Sequence, residues 1–262
     1  LKTNEREIRV EFLSFFIQKG NKMRHIFWAG DSTCATNKYV TYPQTGIAQT
    51  FDRYTRNDVV VYNHAVNGRS TKSFIDESRL APIYNEITKG DFLFIQFGHN
   101  DEKSNDPARF TDPHGEFIVN LGKFVNAARN KGAYPLFITP VERRLFDENG
   151  KLKFSGHEEY VLGMKEAGEK FDVPVIDLYS MSRAFLAGTG DNASKKYYMN
   201  LAPGEISWAP EGKEDNSHLR YEGAMLYAGM IAKEVSKLAE PYCSLIADKD
   251  YLKETYNIEI NG

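Results

Sequence analysis

Four short segments of the chain carry side chains suited to moving an acyl group: Gly30-Asp31-Ser32-Thr33, Asn67-Gly68-Arg69-Ser70, Gly98-His99-Asn100-Asp101 and Asp215-Asn216-Ser217-His218. A serine hydroxyl is a weak nucleophile until a neighbouring base takes its proton. Ser32 as nucleophile and His218 as base fit that need. The imidazole then needs a carboxylate on its other nitrogen to fix its tautomer. Asp215 lies three residues upstream, within one turn of His218. Negative charge developing on an attacked carbonyl oxygen must meet fixed N–H donors. The Ser32 N–H, the Gly68 N–H and the Asn100 side-chain amide are candidates, and Gly68 has no side chain to block close approach.

Each of these residues also has a plainer reading. A turn between strand and helix often carries Ser or Asp as a cap, and Asp31 is read as support for such a turn. Asp215 alone fits a cap or a solvated side chain, and His218 alone a surface histidine. Asp101 competes for the role of acid, but it adjoins Asn100 rather than His218; Glu211 and Glu214 are further substitutes for Asp215. His99 stands open between a structural histidine and one that orients the site loop. Cys34 is the rival nucleophile, since a thiolate attacks carbonyls well when its pKa is lowered. A small buried apolar residue is the preferred reading of it.

Positioning these segments is a task for the elements between them. Short apolar runs at His25–Ala29, Val59–Tyr62, Phe92–Phe97, Leu136–Thr139 and Val173–Leu178 read as buried strands bounded by Gly, Pro, Asn or Asp. Phe117, Leu121, Phe124, Val125 and Ala128 share one helical face, closed by Lys131-Gly132. Ala224, Ala228, Ile231, Val235 and Leu238 mark a last helix, ended by Pro241. The alternation predicts an α/β fold: a three-layer α/β/α sandwich around a five-stranded parallel sheet, flavodoxin-like. Such sheets bind ligands beyond the carboxyl ends of their strands, where three of the four segments fall. Residues 191–216 carry no strong period and read as a long loop bordering the site. Trp28 falls in the first strand and belongs to the core, whereas Trp208 lies in the long loop. It stacks on a sugar face or anchors the loop.

Composition narrows the field further. The chain has 262 residues, 41% hydrophobic and 26% charged, with a net charge of -3. That suits one large soluble domain and gives no basic field for nucleic acid or an anionic membrane. Two cysteines make neither a disulfide framework nor a zinc cluster, and the six histidines show no metal-ligand spacing. No metal and no cofactor is therefore expected. No stretch approaches the roughly 18 apolar residues of a membrane span. Residues 1–22 are read as an N-terminal extension, helical or flexible, whose apolar run Phe12-Leu13-Ser14-Phe15-Phe16-Ile17 is too short for a secretion signal. A single domain over residues 23–262 and a cytoplasmic location are expected; the oligomeric state is left open.

In their order, the four segments resemble the sequence blocks of the SGNH (GDSL-like) hydrolase superfamily, over about Met23 to Leu238. One departure is Thr33, where the strict motif has Leu; it leaves the nucleophile intact. Within the superfamily the chain is most similar to the rhamnogalacturonan acetylesterases. The similarity rests on Ala29-Gly30-Asp31-Ser32-Thr33, Gly68-Arg69-Ser70-Thr71-Lys72-Ser73-Phe74, Gln96-Phe97-Gly98-His99-Asn100-Asp101 and Asp215-Asn216-Ser217-His218-Leu219. The resemblance implies a Ser32, His218, Asp215 triad, an oxyanion hole of Ser32, Gly68 and Asn100, and an acetylated pectin oligosaccharide as substrate. Arg69 and Lys72, beside Gly68, would then face the acidic sugar. Other acetylated sugars such as xylan, a lipid or thioester acyl group, and an inactive sugar-binding domain are the rival readings.

Overall fold

The structure, a computed structural model, describes residues 23–248 and 252–253. The extension over residues 1–22 lies outside the described residues.

Apolar residues on both faces of each strand explain the architecture. In β1 (Arg24–Gly30), Ile26 and Trp28 point into one core and Phe27 and Ala29 into the other. β3 (Phe92–Gln96) divides Phe92 and Phe94 from Leu93 and Ile95 in the same way. With β2 (Val59–Asn63), β4 (Tyr134–Ile138) and β5 (Val175–Ile176) they form a five-stranded sheet, paired in parallel throughout, in the order β2-β1-β3-β4-β5. A sheet apolar on both sides must be covered on both sides. The first core receives α1 (Ile47–Thr50), α6 (Leu178–Thr189) and α8 (Tyr221–Val235). The second receives α2 (Thr71–Asp76), α3 (Leu80–Glu86), α4 (Glu116–Arg129) and α5 (Glu158–Phe171). A further short helix, α7 (Asp191–Ser194), follows α6. This is the predicted α/β/α sandwich with flavodoxin-like strand order.

Several boundaries depart from the sequence reading. β5 is only two residues long, because Asp177 caps α6 by accepting the Ser180 N–H at 3.1 Å and the chain turns helical at Leu178. β4 begins at Tyr134, two residues early, where its N–H bonds to the Asp91 carbonyl. The last helix stops at Val235; Leu238 follows in a tighter turn onto the Val235 carbonyl, and Pro241 lies beyond it. Residues 191–216 are not loop throughout: α7 and the 3-10 turn Lys195–Tyr197 occupy their start.

The strand order reverses direction at β1, between β2 and β3. Ligand crevices form at such a point, beyond the carboxyl ends. The register sets Gly30 beside Gln96, so the segments following β1 and β3 leave the sheet side by side.

Candidate active site

β1 ends in a tight turn held by Asp31. Its Oδ1 accepts the Thr33 N–H at 2.9 Å and the Thr33 hydroxyl at 2.8 Å, while its carbonyl accepts the Cys34 and Ala35 N–H groups. Gly30 is needed there, because a Cβ would stand 3.0 Å from the Gln96 carbonyl oxygen. Ser32 sits half-buried at the tip. Burial pushes the Asp31 carboxyl up, partly offset by the Thr33 bonds.

The segment carrying His218 is fixed on both sides. Met199 N–H bonds the His218 carbonyl at 2.9 Å, Tyr198 bridges Leu219, and Thr45 N–H bonds the Leu219 carbonyl at 2.9 Å. So held, His218 places Nε2 2.9 Å from Ser32 Oγ and Nδ1 2.8 Å from Asp215 Oδ2. Asp215 Oδ1 accepts the Ser217 and His218 N–H groups, each at 3.0 Å, and Lys213 Nζ stands 2.9 Å from Oδ2. Partial burial raises the Asp215 carboxyl, but the His218 hydrogen bonds, with that of Lys213, outweigh it and hold the group well below the ordinary range. A hydroxyl, an imidazole and an ionised carboxylate in hydrogen-bonded series are what serine activation requires. Glu214 is turned aside to Asn216 at 3.2 Å. Asp101 bonds the Thr71 N–H and the Thr71 and Thr111 hydroxyls, away from the histidine; burial pushes it up to about 7.

The segments that carry the other candidate donors meet beside the end of β1. His64 and Val66 N–H groups continue the pairing onto the Trp28 and Gly30 carbonyls, bringing the β2 loop alongside β1. Gly68 adopts φ +76°, a conformation costly for other residues. Beyond it Ser70 and Ser73 form a reciprocal capping box, Ser70 Oγ accepting Ser73 N–H at 3.1 Å and Ser73 Oγ accepting Ser70 N–H at 2.9 Å. Asn100 Nδ2 donates to the Arg69 carbonyl at 3.2 Å and its Oδ1 accepts from Arg109 Nη1 at 3.1 Å, so its amide lies against the Gly68 loop with its rotamer fixed.

The remaining candidates are placed less simply. Arg69 is paired with Glu77 at 2.9 Å and Lys72 with Glu116 at 3.4 Å. His99 is buried behind the loop with its ring 4.7 Å from that of His157, and its Nε2 has no hydrogen-bond partner among the described residues. Burial drives it well below the usual histidine range. Trp208 donates Nε1–H to the Tyr42 carbonyl at 2.8 Å, which anchors the loop, yet the residue stays 41% exposed. Cys34 is fully buried, its thiol directed at Gln96 Oε1 at 3.0 Å and pushed well up by burial. Sequence reading passed over Lys213, Arg109, Arg143 and Arg144. The strand-end rule, applied also to β4, points to the two adjacent arginines. Among the described residues no group of three or more His, Cys, Asp or Glu is placed to hold a metal ion, and no helix is long and apolar enough to cross a membrane.

Comparison with known proteins meets this geometry. The rhamnogalacturonan acetylesterase RhgT of Bacillus subtilis is 41% identical over 216 residues, covering 82% of this chain and 91% of the relative. A rhamnogalacturonan acetylesterase of Emericella nidulans is 26% identical, covering 88% and 89%. Among solved structures, the protein YxiM of Bacillus subtilis aligns with TM-score 0.71 at 21% identity, over 84% of this chain; the chain spans only 58% of that protein. A catalytic mutant of Axe2, an acetylxylan esterase from Geobacillus stearothermophilus, aligns with TM-score 0.57 at 16% identity, over 81% of this chain and 94% of that one. These two likenesses concern the fold alone. The profile of one family matches residues 28–205, more than half of the chain, and takes in the Ser32, Gly68 and Asn100 segments. By that match and by its nearer relatives, the chain belongs to the GDSL-like lipase/acylhydrolase family.

Proposed function

We propose that the protein is a serine acetylesterase that removes acetyl groups from carbohydrate, with acetylated rhamnogalacturonan oligosaccharides as substrate. The observation that carries this reading is the series Ser32 Oγ, His218, Asp215, with contacts of 2.9 and 2.8 Å. The substrate follows from the names of the relatives at 41% and 26% identity.

His218 Nε2 takes the Ser32 proton as Oγ attacks the acetyl carbonyl carbon. The Ser32 N–H, the Gly68 N–H and the Asn100 amide hold the oxyanion; Nδ2 has a second hydrogen besides the one given to Arg69. The intermediate collapses, the C–O bond to the sugar breaks, and the imidazolium returns its proton to the leaving sugar oxygen. Water then enters by the same route, and the acetyl-serine is hydrolysed to acetate and free Ser32. No cofactor takes part. Arg69 and Lys72 bind galacturonate by exchanging Glu77 and Glu116 for a sugar carboxylate. Trp208 stacks on a neighbouring sugar, and His99 supports the oxyanion loop from behind. The same reading takes residues 23–262 as one hydrolase domain acting in the cytoplasm, on oligosaccharide rather than on nucleic acid or membrane.

The test is acetate release from acetylated rhamnogalacturonan oligosaccharides, with acetylxylan and longer acyl model esters as comparison arms. Rhamnogalacturonan is expected to lead, and Ser32→Ala to lower turnover about 10⁴-fold or more. Acetate release unaffected by Ser32→Ala would overturn the reading.

A further inference from the structure

The segment leaving β4, Pro140-Val141-Glu142-Arg143-Arg144, has no part in the chemistry above, yet it touches both halves of the site. It starts from a fixed base: Thr139 N–H bonds the Ile176 carbonyl at 3.0 Å, and Glu142, fully buried, bonds Arg183 at 2.6 Å and the Arg143 N–H at 2.8 Å. Pro140 packs on Gly98 so closely that a Cβ on that glycine would lie 2.9 Å from Pro140 Cγ. Arg143 then turns to the loop that presents Asn100. It donates to the His99 carbonyl at 3.4 Å and the Ser155 carbonyl at 2.7 Å, and it pairs with Glu102. Arg144, 3% exposed, turns to the segment that presents Asp215 and His218. Its N–H bonds the Asn216 carbonyl at 2.9 Å, and Nη1 bonds Asn216 Oδ1 at 2.7 Å. The rest of its guanidinium is held by Ser194 Oγ at 3.2 Å and by Asp191.

We infer that Arg143 and Arg144 are paired positioning residues: the first holds the oxyanion loop, the second holds the acid–base segment, and their adjacency fixes the spacing between the two. The inference rests on the proposed roles of Ser32, His218 and Asn100. A guanidinium suits the task because its planar fork spans several acceptors at once, which the point charge of a lysine does not. The need is real, since a displacement of about 1 Å in a reacting group can cost about 100-fold in rate.

Steady-state kinetics on an acetyl model ester, with thermal unfolding of each variant, tests this. Arg143→Lys and Arg144→Lys are each expected to lower kcat about 10- to 100-fold with KM little changed. The two then separate by partner. Arg144→Lys adds little to the loss caused by Asn216→Ala but multiplies that of Asn100→Ala; Arg143→Lys does the reverse. A merely structural arginine would cut activity by the same factor in every background, and that pattern, or an unchanged kcat, overturns the inference. Should a lysine variant fail to fold, Asn216→Ala and Glu102→Gln probe the same contacts, and unchanged kcat in both overturns it equally. Failure of the underlying reading looks different: wild-type turnover survives Ser32→Ala, and this inference falls with it.

Discussion

Asp215 divides its carboxylate among three backbone and imidazole donors and the Lys213 ammonium. Although burial opposes ionisation, these contacts keep it ionised far below the usual carboxylate range. A depressed acid holds its charge as pH falls, so Asp215 adds no protonation of its own to the acid limb of the rate profile. The acid limb of log(kcat/KM) against pH is therefore expected to have a slope of one; a slope of two would contradict this account of Asp215. Cys34→Ala should leave turnover unchanged, because that thiol faces Gln96 in the core rather than an imidazole. Candidates for the proposed roles could be picked from the sequence, since acyl transfer calls for few side-chain types and each segment offers one. The partners of the basic side chains were not legible there. Glu77 and Glu116 neutralise Arg69 and Lys72 through contacts that only the folded chain creates. Part of the Gly-Arg-Ser-x-x-Ser signature also proves to be helix capping, a local need that reads in sequence much like a catalytic one.

Among the elements, α8 begins three residues after His218 and packs beside the turn that pairs with its segment. Its Gly223 lets the helix lie against the Tyr197 carbonyl, where a Cβ would stand 2.0 Å from the oxygen. Tyr198, next in the chain, bridges Leu219 beside the histidine. Gly223→Ala is expected to cost about 1–3 kcal/mol by overpacking, read as a lower midpoint in urea unfolding, and to reduce turnover with it. An unchanged midpoint would show that the contact is not limiting. The strands were readable as elements because apolar residues on both faces leave near-continuous runs. β5 was overextended, since Asp177 ends it by capping a helix whose amphipathic pattern the strand run obscured. The turns of residues 191–197 carry too few residues to show a helical period.

Taken whole, the molecule carries pH sensitivity beyond the proposed triad as well. Burial holds His157 down to about 3, with the nearby Arg143 and Lys103 charges acting the same way. A base depressed on folding contributes stability that is present above its unfolded pKa of about 6.5 and lost as pH falls towards the folded value. His157→Gln should therefore flatten the decline of unfolding free energy between about pH 6.5 and 3; an undiminished decline would place the sensitivity elsewhere. Asp101, raised to about 7 by burial, acts in the opposite sense: its contribution is present at low pH and lost as pH rises through that value. The sandwich itself is shared with structures at 16% and 21% identity, so function has to be read from the site rather than from the fold. That site stands or falls with Ser32 as a nucleophile activated by His218, and reaction with a fluorophosphonate followed by peptide mass spectrometry tests it most directly. The account predicts one adduct, on Ser32, and none in His218→Ala. A folded wild-type chain that stays unmodified, or that is labelled equally well without the imidazole, would contradict it.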